Sequence, residues 1–246
     1  KTKNVEVIKI SSDTPLIFWN KFILCDKLLL CNYYQYDEIK SNKFQTQISN
    51  IQIIGPERSF SYLHLYNENS VTLPNTVGFY SSGFWVRDQN NAISHGISSI
   101  KIERKILEIL KEVFIENNIK LFIFIHPIEK KYDIKFLNDH YSKILGNNIN
   151  FDICNYKEDS SKLFNNIDVG VSFNSSVIHE RIYCGFKSLL FENSSEFPVK
   201  NSPLSYICAK SSQELKDLIN SSLKIKTYNF FEKFNLNSYS FRKINP

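Results

Sequence analysis

Methionine is missing from all 246 residues, and the chain opens Lys-Thr-Lys. Residue 1 is therefore read as a point inside a longer protein. Glycine and proline number only seven each, which excludes a collagen-like or low-complexity chain. No run approaches the roughly 18 apolar residues that a spanning helix requires. The longest, Leu121-Phe-Ile-Phe-Ile125, is the length of a strand, and no secretory signal is visible. The five cysteines are odd in number and form no CxxC pair, so they read as buried thiols in a reducing cytosol. A net charge of +5 is modest, and no Lys/Arg cluster is interleaved with aromatics, which argues against nucleic acid as a partner.

Chemical signatures are scarce as well. The sequence holds no GxxxxGK(S/T) phosphate loop, no GxGxxG after a strand and no GxSxG elbow. His126, His140 and His179 lack metal-ligand spacing, and no DxD pair is present. No metal or other cofactor is called for.

What remains is a chain rich in core-forming residues: 42% hydrophobic, with 20 Phe and 13 Tyr. Between residues 76 and 222, short apolar runs alternate with helical patterns. Val77-Gly-Phe-Tyr80 reads as a strand ending in a turn at Ser81-Ser82-Gly83. Ile100, Ile102, Ile106, Ile109, Leu110, Val113 and Phe114 recur at helical spacing through 99–117. A strand at 120–125 stops at His126-Pro127, and 134–145 reads as a helix ended by Gly146. Further strands are expected at 150–154, 167–173 and 187–191. Helices are expected at 160–164, at 177–185 and, behind a Ser211/Glu214 capping box, at 211–223. Nearly all-apolar strands alternating with helices predict an α/β fold, a Rossmann-like parallel sheet with helices on both faces. Ligands of such sheets bind outside the carboxyl ends of the strands.

The first 75 residues are less regular. Runs at 16–19, 22–25, 27–31 and 51–54 suggest part of a preceding α/β domain, with 57–75 as a linker. The aromatic and basic segment 226–246 reads as an element packing back on the N-terminal part, or as a membrane-surface element.

Three constellations fall at strand ends. His126 sits one residue past a buried strand, held extended by Pro127. It can meet a phosphate or assist a leaving group, or it can simply satisfy a loop carbonyl. Asn174-Ser175-Ser176 leads into a helix whose N-terminus suits an anion, though Ser caps helices everywhere. Glu180 lies one turn further on the same face, able to accept from ribose hydroxyls or to pair with Arg181 or Lys187 at the surface. Ser81, Ser82 and Gly83 form the third turn. There Gly83 permits close approach of a ligand, and Arg87 can take a phosphate or carboxylate bidentately. His179 reads as structural, and Phe84 and Trp85 as packing.

In this order, Ser-Ser-Gly at 81–83, His126-Pro127, then Asn174-Ser175-Ser176 with Glu180, the series resembles the C-terminal nucleotide-binding domain of bacterial GT-B glycosyltransferases with His-Pro and Ser-Ser motifs. That group includes sialyltransferases, polysialyltransferases and transferases of nonulosonic acids or Kdo. The resemblance covers roughly residues 76–222. It implies a nucleotide-sugar domain at 76–225 behind a partial acceptor-side segment at 1–75. The activity implied is an inverting, metal-independent transfer from a CMP-activated sugar to a glycan or lipid-linked glycan acceptor. His126 would contact the donor phosphate and assist departure of CMP, and Ser175 and Ser176 would hold that phosphate. Glu180 or Glu129 would bind the ribose. The family's acceptor-side carboxylate has no counterpart among recognisable motifs here. A UDP- or GDP-sugar donor, a polymer-phosphate donor and a non-catalytic degenerate domain stay open as alternatives. The expected location is cytoplasmic, with peripheral contact to the inner membrane also open.

Overall fold

The computed structural model describes residues 6–10, 22–40, 45–56, 73–89, 96–173, 175–191 and 203–241. Asn174, the run at 16–19 and most of the 57–75 segment lie outside the described residues.

The N-terminal part is a small parallel sheet. Strands β1 (Ile8–Ile10), β2 (Phe22–Leu30) and β3 (Gln45–Ile53) lie in that order, with helix α1 (Tyr33–Lys40) between β2 and β3. The two apolar runs read at 22–25 and 27–31 are one nine-residue strand. Asp26 and Lys27 both donate their backbone N–H to Val7 O, at 3.0 and 3.2 Å. That irregularity shifts the inward parity from Ile23 and Cys25 to Leu28 and Leu30, while Leu24 is 69% exposed. A strict period of two is broken, which is why the run looked like two elements. Asn32 caps α1 by accepting from Gln35 N at 2.9 Å.

The larger sheet comprises β4 (Thr76–Tyr80), β5 (Lys120–Phe124), β6 (Phe151–Ile153), β7 (Val169–Ser172), β8 (Ser188–Phe191) and β9 (Cys208–Ala209). Its order is β6-β5-β4-β7-β8-β9, parallel throughout. Counting from β4, this is the doubly wound order 3-2-1-4-5-6, and the chain reverses direction across the sheet between β4 and β7. Every residue of β4, β7 and β8 is buried, as expected of strands covered on both faces.

Helices α2 (Phe84–Gln89), α3 (Gly96–Asn117), α4 (Ile134–Leu145), α5 (Ser176–Tyr183), α6 (Ser212–Leu223) and α7 (Thr227–Lys233) complete the larger part. Right-handed crossovers place α3 and α4 on one face and α5 on the other, and α6 packs beside α3. Local signals set their ends. Asp133 accepts from Phe136 N at 2.8 Å to start α4, and Gly146, at φ +91°, stops it. Ser211 accepts from Glu214 N at 3.2 Å to start α6.

After α7 the chain turns back. Phe230 and Phe231 are fully buried, so the aromatic face of α7 is spent in the core. Tyr239 stacks on Tyr34 of α1 with ring centroids 4.4 Å apart. Phe241 N donates to Tyr183 O at 3.0 Å, and its ring lies against Gly55, where a Cβ would come within 3.2 Å. No described helix is long and apolar enough to cross a membrane.

Candidate functional site

The reversal between β4 and β7 leaves a crevice at the carboxyl ends of the strands, and side-chain hydroxyls tie its edges. Ser172 donates to Tyr80 O at 2.7 Å and accepts from Ser175 N at 3.3 Å. Ser81 N donates to Phe124 O at 2.9 Å, which binds the end of β4 to that of β5. Between these ends opens a cavity of about 660 Å³. Ser81, Ser82, Arg87, His126, Pro127, Ser175, Ser176 and Glu180 all line it. The structure thus brings together eight of the residues singled out by the sequence.

Gly83 and Glu129 do not line the cavity. Gly83 adopts φ +68°, and a Cβ there would fall 2.7 Å from Ile128 Cγ2 and 3.0 Å from His126 Cβ. Its close approach is therefore to the turn after β5, not to a ligand. The 81–83 turn also leads into α2 rather than a plain loop, with Val86 N and Arg87 N bonding to Gly83 O. Glu129 is fully buried beneath the cavity, where its carboxylate accepts from His126 N at 2.5 Å, Trp85 Nε1 at 2.5 Å and Tyr141 OH at 2.7 Å. Those bonds, and not a ribose, take up its oxygens. Phe84 does line the cavity, while Trp85 packs by stacking on His140, centroids 4.0 Å apart.

His126 is held in one orientation. Its backbone is extended, at φ −69° and ψ 148°, and it caps a 3-10 turn at Pro127–Lys131. Nδ1 accepts from Ile128 N at 3.2 Å, so the neutral ring carries its proton on Nε2. Nε2 lies 3.3 Å from Arg87 Nη2. Both of these groups are donors in that tautomer, and neither can accept from the other. Burial, and then the Arg87 charge, pull the His126 pKa down to about 4, so the ring is neutral at pH 7. Two hydrogen-bond donors thus meet at the cavity wall, where one acceptor oxygen on the cavity side could face both.

The far wall is the start of α5. Ser175 is its N-cap and makes no side-chain cap bond, and Ser175, Ser176 and Val177 face the cavity. The first N–H groups of a helix have no partner within it and carry partial positive charge. Glu180, one turn on, is 1% exposed and accepts from Ser161 Oγ at 2.9 Å. The alternative reading of Glu180 as a surface charge paired with Arg181 or Lys187 does not fit a residue this deeply buried. Both cations are buried, and they serve main-chain carbonyls and Asp168. His179 is buried, and burial brings its pKa down to about 4.

Three contributors escaped the sequence reading. Asn155 extends past β6 and pairs with the end of β5 as a strand would. It accepts from Ile125 N and donates to Ile125 O, each at 2.8 Å, and also donates to Ser160 Oγ. Lys130 lines the cavity and reaches Glu158 O at 3.3 Å. Glu103 on α3 accepts from Ser82 N at 2.5 Å and Phe84 N at 3.3 Å, which seats the turn before α2. Burial raises its pKa to about 7. Glu103 had a legible signal, because it falls on the apolar stripe with Ile106, Leu110 and Val113.

No family model and no curated protein matches this chain. Among solved structures, the wall teichoic acid polymerase TagF with CDPG is similar at 16% identity and a TM-score of 0.46. That match covers 90% of this chain and 53% of TagF. The C-terminal domain of a glycosyl transferase group 1 family protein, LpcC, from Francisella tularensis matches at 11% identity and TM-score 0.42, over 73% of this chain and 93% of that domain. Medicago truncatula UGT71G1 complexed with UDP-glucose matches at 13% and 0.42, over 87% and 50%. This chain spans about half the length of the TagF and UGT71G1 chains.

Proposed function

We propose that the cavity binds the nucleotide end of an activated sugar and that the chain is the donor-binding part of an inverting GT-B glycosyltransferase. The observation that carries this reading is the Arg87–His126 pair, two donors 3.3 Å apart, facing the N-terminus of α5 across the crevice. A phosphate oxygen between Arg87 and His126 Nε2 would accept from both, and Ser175 and Ser176 would add hydroxyl donors on the other side. Glu180, already oriented by Ser161, is placed to accept from ribose hydroxyls. The order of the strand-end motifs favours a CMP-linked nonulosonic or Kdo-type sugar and a surface glycan acceptor.

In this reading the bond from the anomeric carbon to the CMP phosphate breaks as the acceptor oxygen attacks from the opposite face. Charge develops on the departing phosphate, and Arg87, His126 and α5 stabilise it there. The neutral His126 keeps its proton and donates a hydrogen bond through Nε2–H to the leaving phosphate, which stabilises the charge that develops there. The carboxylate that takes the acceptor proton belongs to the acceptor side and is unassigned.

Calorimetric titration with CMP, CDP, UDP and GDP tests the proposal. Selective CMP binding, weakened about tenfold in His126→Ala and weakened also in the Ser175→Ala/Ser176→Ala pair, is expected. Preference for UDP or GDP would overturn the donor, and no binding by any of the four would overturn the nucleotide site itself.

A further inference from the structure

The gap between Arg87 and His126 is set by groups on different elements, and one buried carboxylate joins them. Arg87 rides on α2, two residues beyond Trp85, whose indole N–H donates to Glu129 Oε1 at 2.5 Å. The main-chain N–H of His126 donates to Glu129 Oε2, also at 2.5 Å. Tyr141 of α4 donates to Oε1 at 2.7 Å, and the Ser81 hydroxyl bonds to the same carboxylate. Glu129 has no solvent exposure. A buried carboxylate that accepts several hydrogen bonds within a packed core is a rigid point rather than a mobile one.

We infer that Glu129 is a positioning residue for the phosphate pair: its carboxylate anchors α2 through Trp85 and the post-β5 turn through His126, and so fixes the separation of Arg87 from His126 Nε2. This rests on the reading of those two residues as phosphate ligands. Glu129 touches neither the cavity nor its contents. It acts through the two arms, as supporting shells of binding sites do. Removing the acceptor from either arm should let α2 and the turn move independently, so the two donors meet one oxygen only part of the time.

Two variants separate positioning from mere stability. Glu129→Gln keeps the volume but leaves one oxygen for donors that now share two. Trp85→Phe keeps an aromatic ring on α2 to stack on His140 and removes the indole bond to Glu129. The readouts are the imidazole ¹⁵N signals of His126, assigned by their loss in His126→Ala, and CMP affinity by calorimetry. Folded Trp85→Phe is expected to shift the His126 signals and weaken CMP binding at least fivefold, and Glu129→Gln to do so more strongly. Unchanged signals or unchanged affinity in folded Trp85→Phe would overturn the inference, and that variant decides alone if Glu129→Gln does not fold. If the wild type binds no CMP, the phosphate reading fails. The His126 signals then judge positioning by themselves: a shift supports it, and none overturns it.

Discussion

The two ends of the six-stranded sheet treat polar groups in opposite ways. At the amino ends, Lys187 gives its three ammonium hydrogens to Asp168 Oδ1 at 2.8 Å, Ser222 O at 2.7 Å and Ile225 O at 2.8 Å. Asp168 N in turn donates to Thr76 Oγ1 at 2.8 Å. Nearby Arg181 serves Phe164 O, Ile167 O and Tyr80 OH. Apart from Arg181 Nε, the donors of this group meet acceptors, and the network is nearly closed. At the carboxyl ends, Arg87 and His126 present donors to each other across 3.3 Å, with no acceptor between them. A closed buried network holds the sheet together, while an open one waits for a ligand atom.

Lys187→Ala should break the comparison's first half most forcefully. It strands Asp168 in the core without its cation, and loss of one partner of a buried pair costs about 3–5 kcal/mol. For a chain of this size that corresponds to a fall of about 10 °C in the unfolding midpoint, read by calorimetry. Nucleotide affinity of the folded protein should be unchanged.

Glu103 sharpens the contrast, since it is a satisfied buried carboxylate at the open end. Its pKa stands near 7 when folded, against 4.5 for the ordinary carboxyl. The folded state therefore holds this proton more tightly than the unfolded state. The stability it contributes is complete below pH 4.5 and is lost as pH rises through 7, about 3 kcal/mol in all. His126, His140 and His179, with pKa values lowered to about 4, act in the opposite sense below pH 6.5. The clean quantity is thus the difference in midpoint between wild type and Glu103→Gln, measured from pH 4.5 to 8. The wild type should lose ground relative to the variant as pH rises, and a flat difference would contradict this.

Gly170→Ala probes the closed end by crowding rather than by removal. A Cβ there would sit 2.8 Å from Arg181 Nε and 3.0 Å from its Cδ. Overpacking of this kind costs about 1–3 kcal/mol, visible as a lower urea midpoint with unchanged slope. Smallest in free energy is His126→Ala, expected to weaken CMP binding about tenfold, or ~1.4 kcal/mol. Its unfolding midpoint should move by less than that of Gly170→Ala.

The same contrast explains what was legible in the sequence. Continuous apolar strands such as Leu121–Ile125 announce a parallel sheet, and the residues just after them reach its crevice, so His126, Ser175 and Ser176 were found by position. Lys187 and Arg181 were read as surface charges because nothing local reveals that carbonyls from distant segments satisfy them. Glu129 looked like a ligand because it follows His126-Pro127, while its true partners, Trp85 and Tyr141, lie 44 and 12 residues away. The six-residue α2 and the two-residue β9 are too short to show a period. The change of buried parity across Asp26 and Lys27 in β2 hid a single strand behind two runs.

The most direct measurement is backbone amide chemical-shift mapping of the chain titrated with CMP. Shifts confined to the carboxyl ends, at Ser81, Ser82, His126, Ser176 and Glu180, with Asp168, Thr76 and Lys187 unmoved, are the predicted result. Shifts centred on the amino ends of the strands, or none at saturating CMP, would contradict the assignment of the open end as the nucleotide site.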